Sequence, residues 1–204
     1  EVVFIRPAAG PSPRPPRLAL PPPSAGSSSA GSPPGLSDAH ERERAHHERF
    51  VSHHGEYFQG RRHERERVRS YLETPDDREI LVVTGESGVG KSAFLAACVR
   101  DARARHPESV VIPHFIGAAP DSASLLATLR SVCGALRRET PLEEAVSEDP
   151  NKLRVQLRAL LEQAGMSRPI TVVIDALNQL DSSDRSHDLD SLAEGYRGLW
   201  ATAT

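Results

Sequence analysis

Eight residues, Gly85-Glu86-Ser87-Gly88-Val89-Gly90-Lys91-Ser92, follow the pattern G-x-x-x-x-G-K-[ST]. The pattern confines the chain around it to a strand, a glycine-rich loop and a helix. Both flanks comply. Glu79 to Thr84 read as a buried strand, and Ala93 to Val99 read as a helix. The glycines of such a loop let backbone N–H groups turn toward phosphate oxygens, and the helix N-terminus adds partial positive charge at the same point. On this reading Gly85, Glu86, Ser87, Gly88, Val89, Gly90, Lys91 and Ser92 cradle the phosphates of a nucleotide. Lys91 reaches the terminal phosphates and Ser92 ligates Mg²⁺. The chain has 23 arginines and only two lysines, Lys91 and Lys152. A compact ammonium at the one position that calls for it, in a chain that otherwise uses guanidinium, argues against a chance match.

The rest of the chain divides by composition. Residues 1–35 hold 10 of the 17 prolines, with Ser, Gly and Ala between them, and read as a disordered tail. Pro13-Arg14-Pro15-Pro16 could dock in an aromatic groove, but a plain linker is the better account of the composition. Residues 36–78 are charged and histidine-rich. Asp38 to Val51 read as a charged helix or coiled-coil segment, and His63 to Leu72 as a short helix burying Val68, Tyr71 and Leu72, closed by a turn at Pro75-Asp76-Asp77. His46, His47, His53 and His54 invite a metal reading. They match no zinc spacing and have no cysteine beside them, so a solvated helix face is expected.

Residues 79–185 carry the core pattern. Ser109 to Ile116 form a second strand, weakened by Pro113 and His114. A helix capped by Asp121 or Ser122 carries the stripe Leu125, Leu126, Leu129, Val132, Cys133 and Leu136. Asp149-Pro150 open another helix with core face Leu153, Leu157, Leu160 and Leu161, stopped at Gly165. Ile170 to Ile174 form a third buried strand ending in Asp175. Strands alternating with helices predict an α/β fold with a parallel sheet flanked by helices. An acid at the C-terminal end of a buried strand, about 85 residues after the loop, is placed to hold Mg²⁺ together with Ser92. A plain helix cap is the structural alternative for Asp175.

Other functions are disfavoured by composition. The net charge is −3, which suggests no nucleic-acid or membrane partner. No stretch approaches the length of a membrane span. Cys98 and Cys133 fall on apolar helix faces and read as buried free thiols of a reducing compartment. No secretory signal is legible at Glu1, so a cytoplasmic setting is expected, and the chain reads as part of a longer one.

Three segments carry a resemblance. Val172-Val-Ile-Asp-Ala-Leu-Asn-Gln-Leu-Asp181 resembles the metal-binding strand of NACHT-type STAND P-loop ATPases, most of all the large nephrocystin-like and telomerase-protein-like proteins with tetratricopeptide or WD repeats. Tyr57-Phe-Gln-Gly-Arg-Arg-His-Glu64 resembles the F-x-G-R-x-x-E lead-in of STAND and related AAA-like ATPases, near the adenine in that family. His114 to Ser122 resemble their second strand and turn. The resemblance implies Mg-ATP binding in a signalling or assembly switch, with protein partners or self-association through regions beyond Thr204. The chain has no guanine-reading Asn/Thr-Lys-x-Asp motif, which favours ATP over GTP. An active AAA-like ATPase and a non-binding scaffold with a relic loop remain rival readings.

Two departures from the resemblance follow. Where the family carries an acid three residues after the metal-binding Asp, this chain has Asn178, and an amide cannot act as a general base. Asp181 is a candidate substitute or an ordinary exposed acid, so slow or absent hydrolysis is expected. The family's sheet also places a fourth strand between the first and third. Residues 186–204 form a divergent tail with no such strand, which predicts an incomplete sheet of about three strands with a gap at its centre, and a marginally stable chain.

Overall fold

The computed structural model describes residues 2–5, 36–74, 81–118, 124–140, 145–176 and 179. Its elements are β1 (Val2–Ile5), α1 (Leu36–Glu56), α2 (Arg62–Glu73), β2 (Leu81–Val83), α3 (Lys91–Arg105), β3 (Val110–Phe115), α4 (Leu125–Arg137), α5 (Pro150–Ser167) and β4 (Ile170–Asp175). The fold is α/β: a small sheet between two layers of helices, in which β3 and β4 pair in parallel.

The sheet order is β2-β1-β4-β3. β1 is antiparallel to both neighbours, with Val3 opposite Val82 on one side and Ile174 on the other. It follows that β2, β3 and β4 all run in one direction and end on the same edge of the sheet. Val2–Ile5 forms a strand, and it occupies the slot between β2 and β4. The reason is local and global together. Val-Val-Phe-Ile is a run of β-branched and aromatic residues with high strand preference. A central slot flanked by two apolar strands demands backbone donors and acceptors on both sides. Residues 6–35, the turn at Pro75 and the tail at 186–204 lie outside the described residues.

β4 shows how the sheet divides the core. Ile170, Val172 and Ile174 face α4 and α5, where they pack with Leu129, Leu136, Leu153 and Leu160. Val173 faces the other way, onto Phe94, Leu95, Val99 and Phe115. A two-residue alternation with both faces apolar is what a buried strand requires. β3 lies at the edge of the sheet, so Pro113 can sit inside it opposite Val173 without costing a ladder bond. The strand therefore runs regularly through Pro113 and His114 to Phe115.

The helices follow their local signals with small shifts. Asp149 caps α5, its carboxylate accepting from the Asn151 amide at 2.9 Å, with Pro150 in the first turn. α5 continues past Gly165 to Ser167, because Ala164 and the preceding leucines keep that turn packed. α4 is capped by Ser124, whose hydroxyl accepts from the Ala127 amide at 3.1 Å. Asp121 and Ser122, the expected caps, lie outside the described residues.

α1 differs most from its sequence reading. His47 and Val51 are buried and Gly55 is buried with them, one turn apart along one face. That face lies on α3. A Cβ on Gly55 would come within 2.9 Å of the Ala96 backbone, so a residue without one is needed for the two helices to approach this closely. The Arg103 guanidinium clamps the same junction, donating to both Glu48 oxygens at 2.7 and 2.8 Å and to the Val111 carbonyl at 2.9 Å. Few apolar residues serve because ion pairs and close backbone contact complete the packing. Cys98 and Cys133 are free and buried, and burial pushes both thiols up to about 12.

Candidate functional site

The glycine loop joins the end of β2 to the start of α3. Gly88 and Gly90 have φ of 82° and 84°, a region that strains any residue with a Cβ. Open space surrounds the Cβ position of both. The glycines are thus required by backbone conformation, and the loop surface above them is free for a ligand to approach. Gly90 is the N-cap of α3 and offers no side-chain cap, so the first-turn N–H groups of the helix face the loop side unsatisfied by any side chain. Gly85, Glu86, Ser87 and Val89 complete an exposed loop, while Lys91 and Ser92 are half-buried in the first turn of α3.

Lys91 turns back over this loop. Its ammonium donates to the carbonyls of Gly85 at 2.7 Å and Glu86 at 2.8 Å. The charge is held at the mouth of the loop by neutral acceptors, which a phosphate oxygen would outcompete as a partner.

The lead-in segment is part of the same site. Gly60 and Arg61 both have positive φ, 90° and 47°, and turn the chain from α1 into α2. This turn carries the Arg61 guanidinium to the Val89 carbonyl in the middle of the glycine loop. Phe58 stacks edge-on against Phe94 of α3 at 5.9 Å between ring centroids. Arg65 on α2 donates to Asp101 on α3 at 2.9 Å. Tyr57 is left 76% exposed beside them. The G-R-R-x-E signal was legible in the sequence, but its docking onto the loop through Arg61 was not.

Asp175 is the last residue of β4 and is buried. It lies on the sheet edge from which the glycine loop also departs, two strand spacings or about 10 Å from β2. The next residue, Ala176, is held at a φ of 61°, a left-handed conformation costly for a non-glycine residue. Its carbonyl accepts from the Gln179 amide at 2.7 Å. The Gln179 side-chain oxygen would lie 2.7 Å from a Cβ on Gly117, so the turns after β3 and β4 interlock beside Asp175. The structure thus gathers the loop, Lys91, Ser92 and Asp175 along one edge. No hydrogen bond joins Ser92 to Asp175 among the described residues. Asn178 and Asp181, the catalytic candidates, lie outside the described residues.

The residues present fit a nucleotide with a divalent cation: unhindered glycines at positive φ, an ammonium without an acidic partner among the described residues, and a hydroxyl and a carboxylate on the same edge. Among the described residues no helix is long and apolar enough to cross a membrane.

Comparison with known proteins agrees with this geometry. The family model of the AAA ATPase domain matches residues 57–197, from the lead-in segment through the loop and past Asp175. The chain is 30% identical over 111 residues to tetratricopeptide repeat protein 41 of Rattus norvegicus, a match spanning 52% of this chain and 8% of that protein. It is 32% identical over 117 residues to NACHT and WD repeat domain-containing protein 2 of Mus musculus, 53% of this chain and 7% of that protein. A TPR repeat-containing protein of Dictyostelium discoideum is 25% identical over 76 residues, 37% of this chain and 5% of that one. The matches therefore span less than a tenth of these relatives. No solved structure gives a significant match.

Proposed function

The chain belongs to the AAA ATPase domain family, and from that premise we propose that it binds Mg-ATP through Gly85 to Ser92 as a signalling or assembly switch. The observation that supports this most is the pose of Lys91. Its ammonium is drawn over the loop by the Gly85 and Glu86 carbonyls, and Gly88 and Gly90 leave the loop surface open among the described residues. Lys91 would neutralise the outer phosphates, and Ser92 and Asp175 would hold the cation. Bound Mg²⁺ would supply charge neutralisation on the phosphates.

Slow hydrolysis belongs to the same reading. In the family resemblance Asn178 takes the sequence position of an acid that would orient and deprotonate water, and an amide cannot accept that proton. A binder that turns over slowly holds its nucleotide state, which suits a switch better than a motor. The relatives named for tetratricopeptide and WD repeats support protein partners as the readout.

One pair of assays separates the readings. Titration with Mg-ATP, competed by GTP, should show saturable binding that favours ATP. Multiple-turnover phosphate release should fall well below the ~1–10³ s⁻¹ usual for enzymes. No ATP binding would leave only the scaffold reading, and turnover within that range would make the chain a working ATPase. Asn178→Asp should raise turnover without changing affinity.

A further inference from the structure

Away from the glycine loop, three side chains from two elements meet where α1 crosses β3. Glu43 and His47 lie one turn apart on α1, and His114 lies on β3. One donor atom from each is within 4.8 Å of the other two. The imidazoles of His47 and His114 are 3% and 1% exposed, with ring centroids 4.5 Å apart. Nε2 of His47 and both ring nitrogens of His114 are buried without a hydrogen-bond partner among the described residues. Glu43 stands 3.8 Å from His47 Nε2, too far to satisfy it.

Buried polar atoms are normally paired, and an orphan is costly. Three orphaned nitrogens at one point, with a carboxylate beside them, lack a common polar partner, and an ion that takes one lone pair from each ring would supply it.

We propose that Glu43, His47 and His114 form a binding site for one divalent transition metal of the zinc class. Two imidazoles and one carboxylate are a recognised donor set for such an ion and a poor one for Mg²⁺ or Ca²⁺, which take oxygen. Bonds of about 2.0–2.2 Å at tetrahedral angles place donor atoms roughly 3.5 Å apart. Side-chain rotation closes the difference, since Glu43 is only partly buried. His47 and His114 line a cleft of about 150 Å³ together with His40, Arg44 and Arg138.

Binding has a defined proton consequence. The Phe115 amide donates to His47 Nδ1 at 3.2 Å, so the neutral ring carries its proton on Nε2. Coordination through Nε2 moves that proton to Nδ1, and the Phe115 amide loses its acceptor. No proton is released from His47 in this exchange. Phe115 lies opposite Asp175 in the β3–β4 ladder.

The test is a titration of the chelator-stripped full chain with Co²⁺ and then Zn²⁺. Wild type should bind one equivalent of Co²⁺ with the visible absorption of a nitrogen-coordinated, four-coordinate ion, bleached by Zn²⁺. The Phe115 amide resonance should shift in step. His114→Phe and the more conservative Glu43→Gln should each weaken binding by at least ~10-fold. The double variant His53→Ala with His54→Ala, on the exposed end of the same helix, should bind like wild type. Unchanged affinity in Glu43→Gln and His114→Phe, loss confined to the His53/His54 variant, or no binding by wild type would each overturn the assignment and leave a packed histidine pair.

Discussion

The guanidinium of Arg61 donates to the carbonyl of Val89, joining the lead-in turn to the glycine loop. Arg61 holds a φ of 47° to make this contact. The Arg61–Val89 bond ties the loop to the lead-in turn. Arg61→Ala should therefore loosen the loop and weaken Mg-ATP binding about 5-fold, equivalent to ~1 kcal/mol for an exposed charge-assisted bond. Isothermal titration of the variant checks this, and an affinity equal to wild type would remove Arg61 from the site.

Gly90→Ala tests whether the loop conformation itself is under strain control. A Cβ at a φ of 84° costs roughly 1–2 kcal/mol. The melting temperature should drop by about 2–8 °C although nothing stands within 4 Å of the new methyl. A rise on substitution would mean that the loop adopts another conformation.

β1 makes a prediction about the sheet. Val3 is opposite Val82 on one side and Ile174 on the other. Val3→Pro removes an amide from a strand paired on both edges and should cost about 1–3 kcal/mol. Thermal unfolding of the full chain reads this directly. A melting curve superimposable on wild type would show that Val2–Ile5 does not support β2.

His114 predicts an acid-side dependence of stability. Burial, and secondarily the neighbouring His47, lower its pKa to about 3, against about 6.5 in the unfolded chain. Between those values the unfolded state binds the extra proton. The contribution of the neutral buried ring is therefore full above about pH 6.5 and falls as pH drops toward 3, with a slope of ~1.4 kcal/mol per pH unit. His114→Phe should flatten the stability profile in that window relative to wild type, by denaturant melts in chelator. Identical slopes for the two proteins would contradict a buried, neutral His114.

The parts legible in the sequence are those with local causes. The glycine loop, the Asp149-Pro150 start of α5, the leucine face of that helix and the apolar run ending at Asp175 each carry their signal within a few residues. β1 was not legible, because a four-residue strand is defined by its partners, and those lie about 80 and 170 residues away. The buried face of α1 was hidden for the same reason. His47 looks like its exposed neighbours in sequence, and what buries it is Phe115 and His114, 68 and 67 residues further along. The one available hint was His114 itself, an unusual polar residue inside an otherwise apolar strand.

The central claim rests on Lys91. Equilibrium binding of Mg-ATP to wild type, Lys91→Ala and Lys152→Ala tests it most directly, because Lys152 is the chain's other lysine and lies exposed on α5. Loss of a charge-assisted phosphate contact worth about 1.5–3 kcal/mol should weaken Lys91→Ala roughly 10- to 150-fold, with Lys152→Ala matching wild type. Equal affinity in all three proteins would contradict the account.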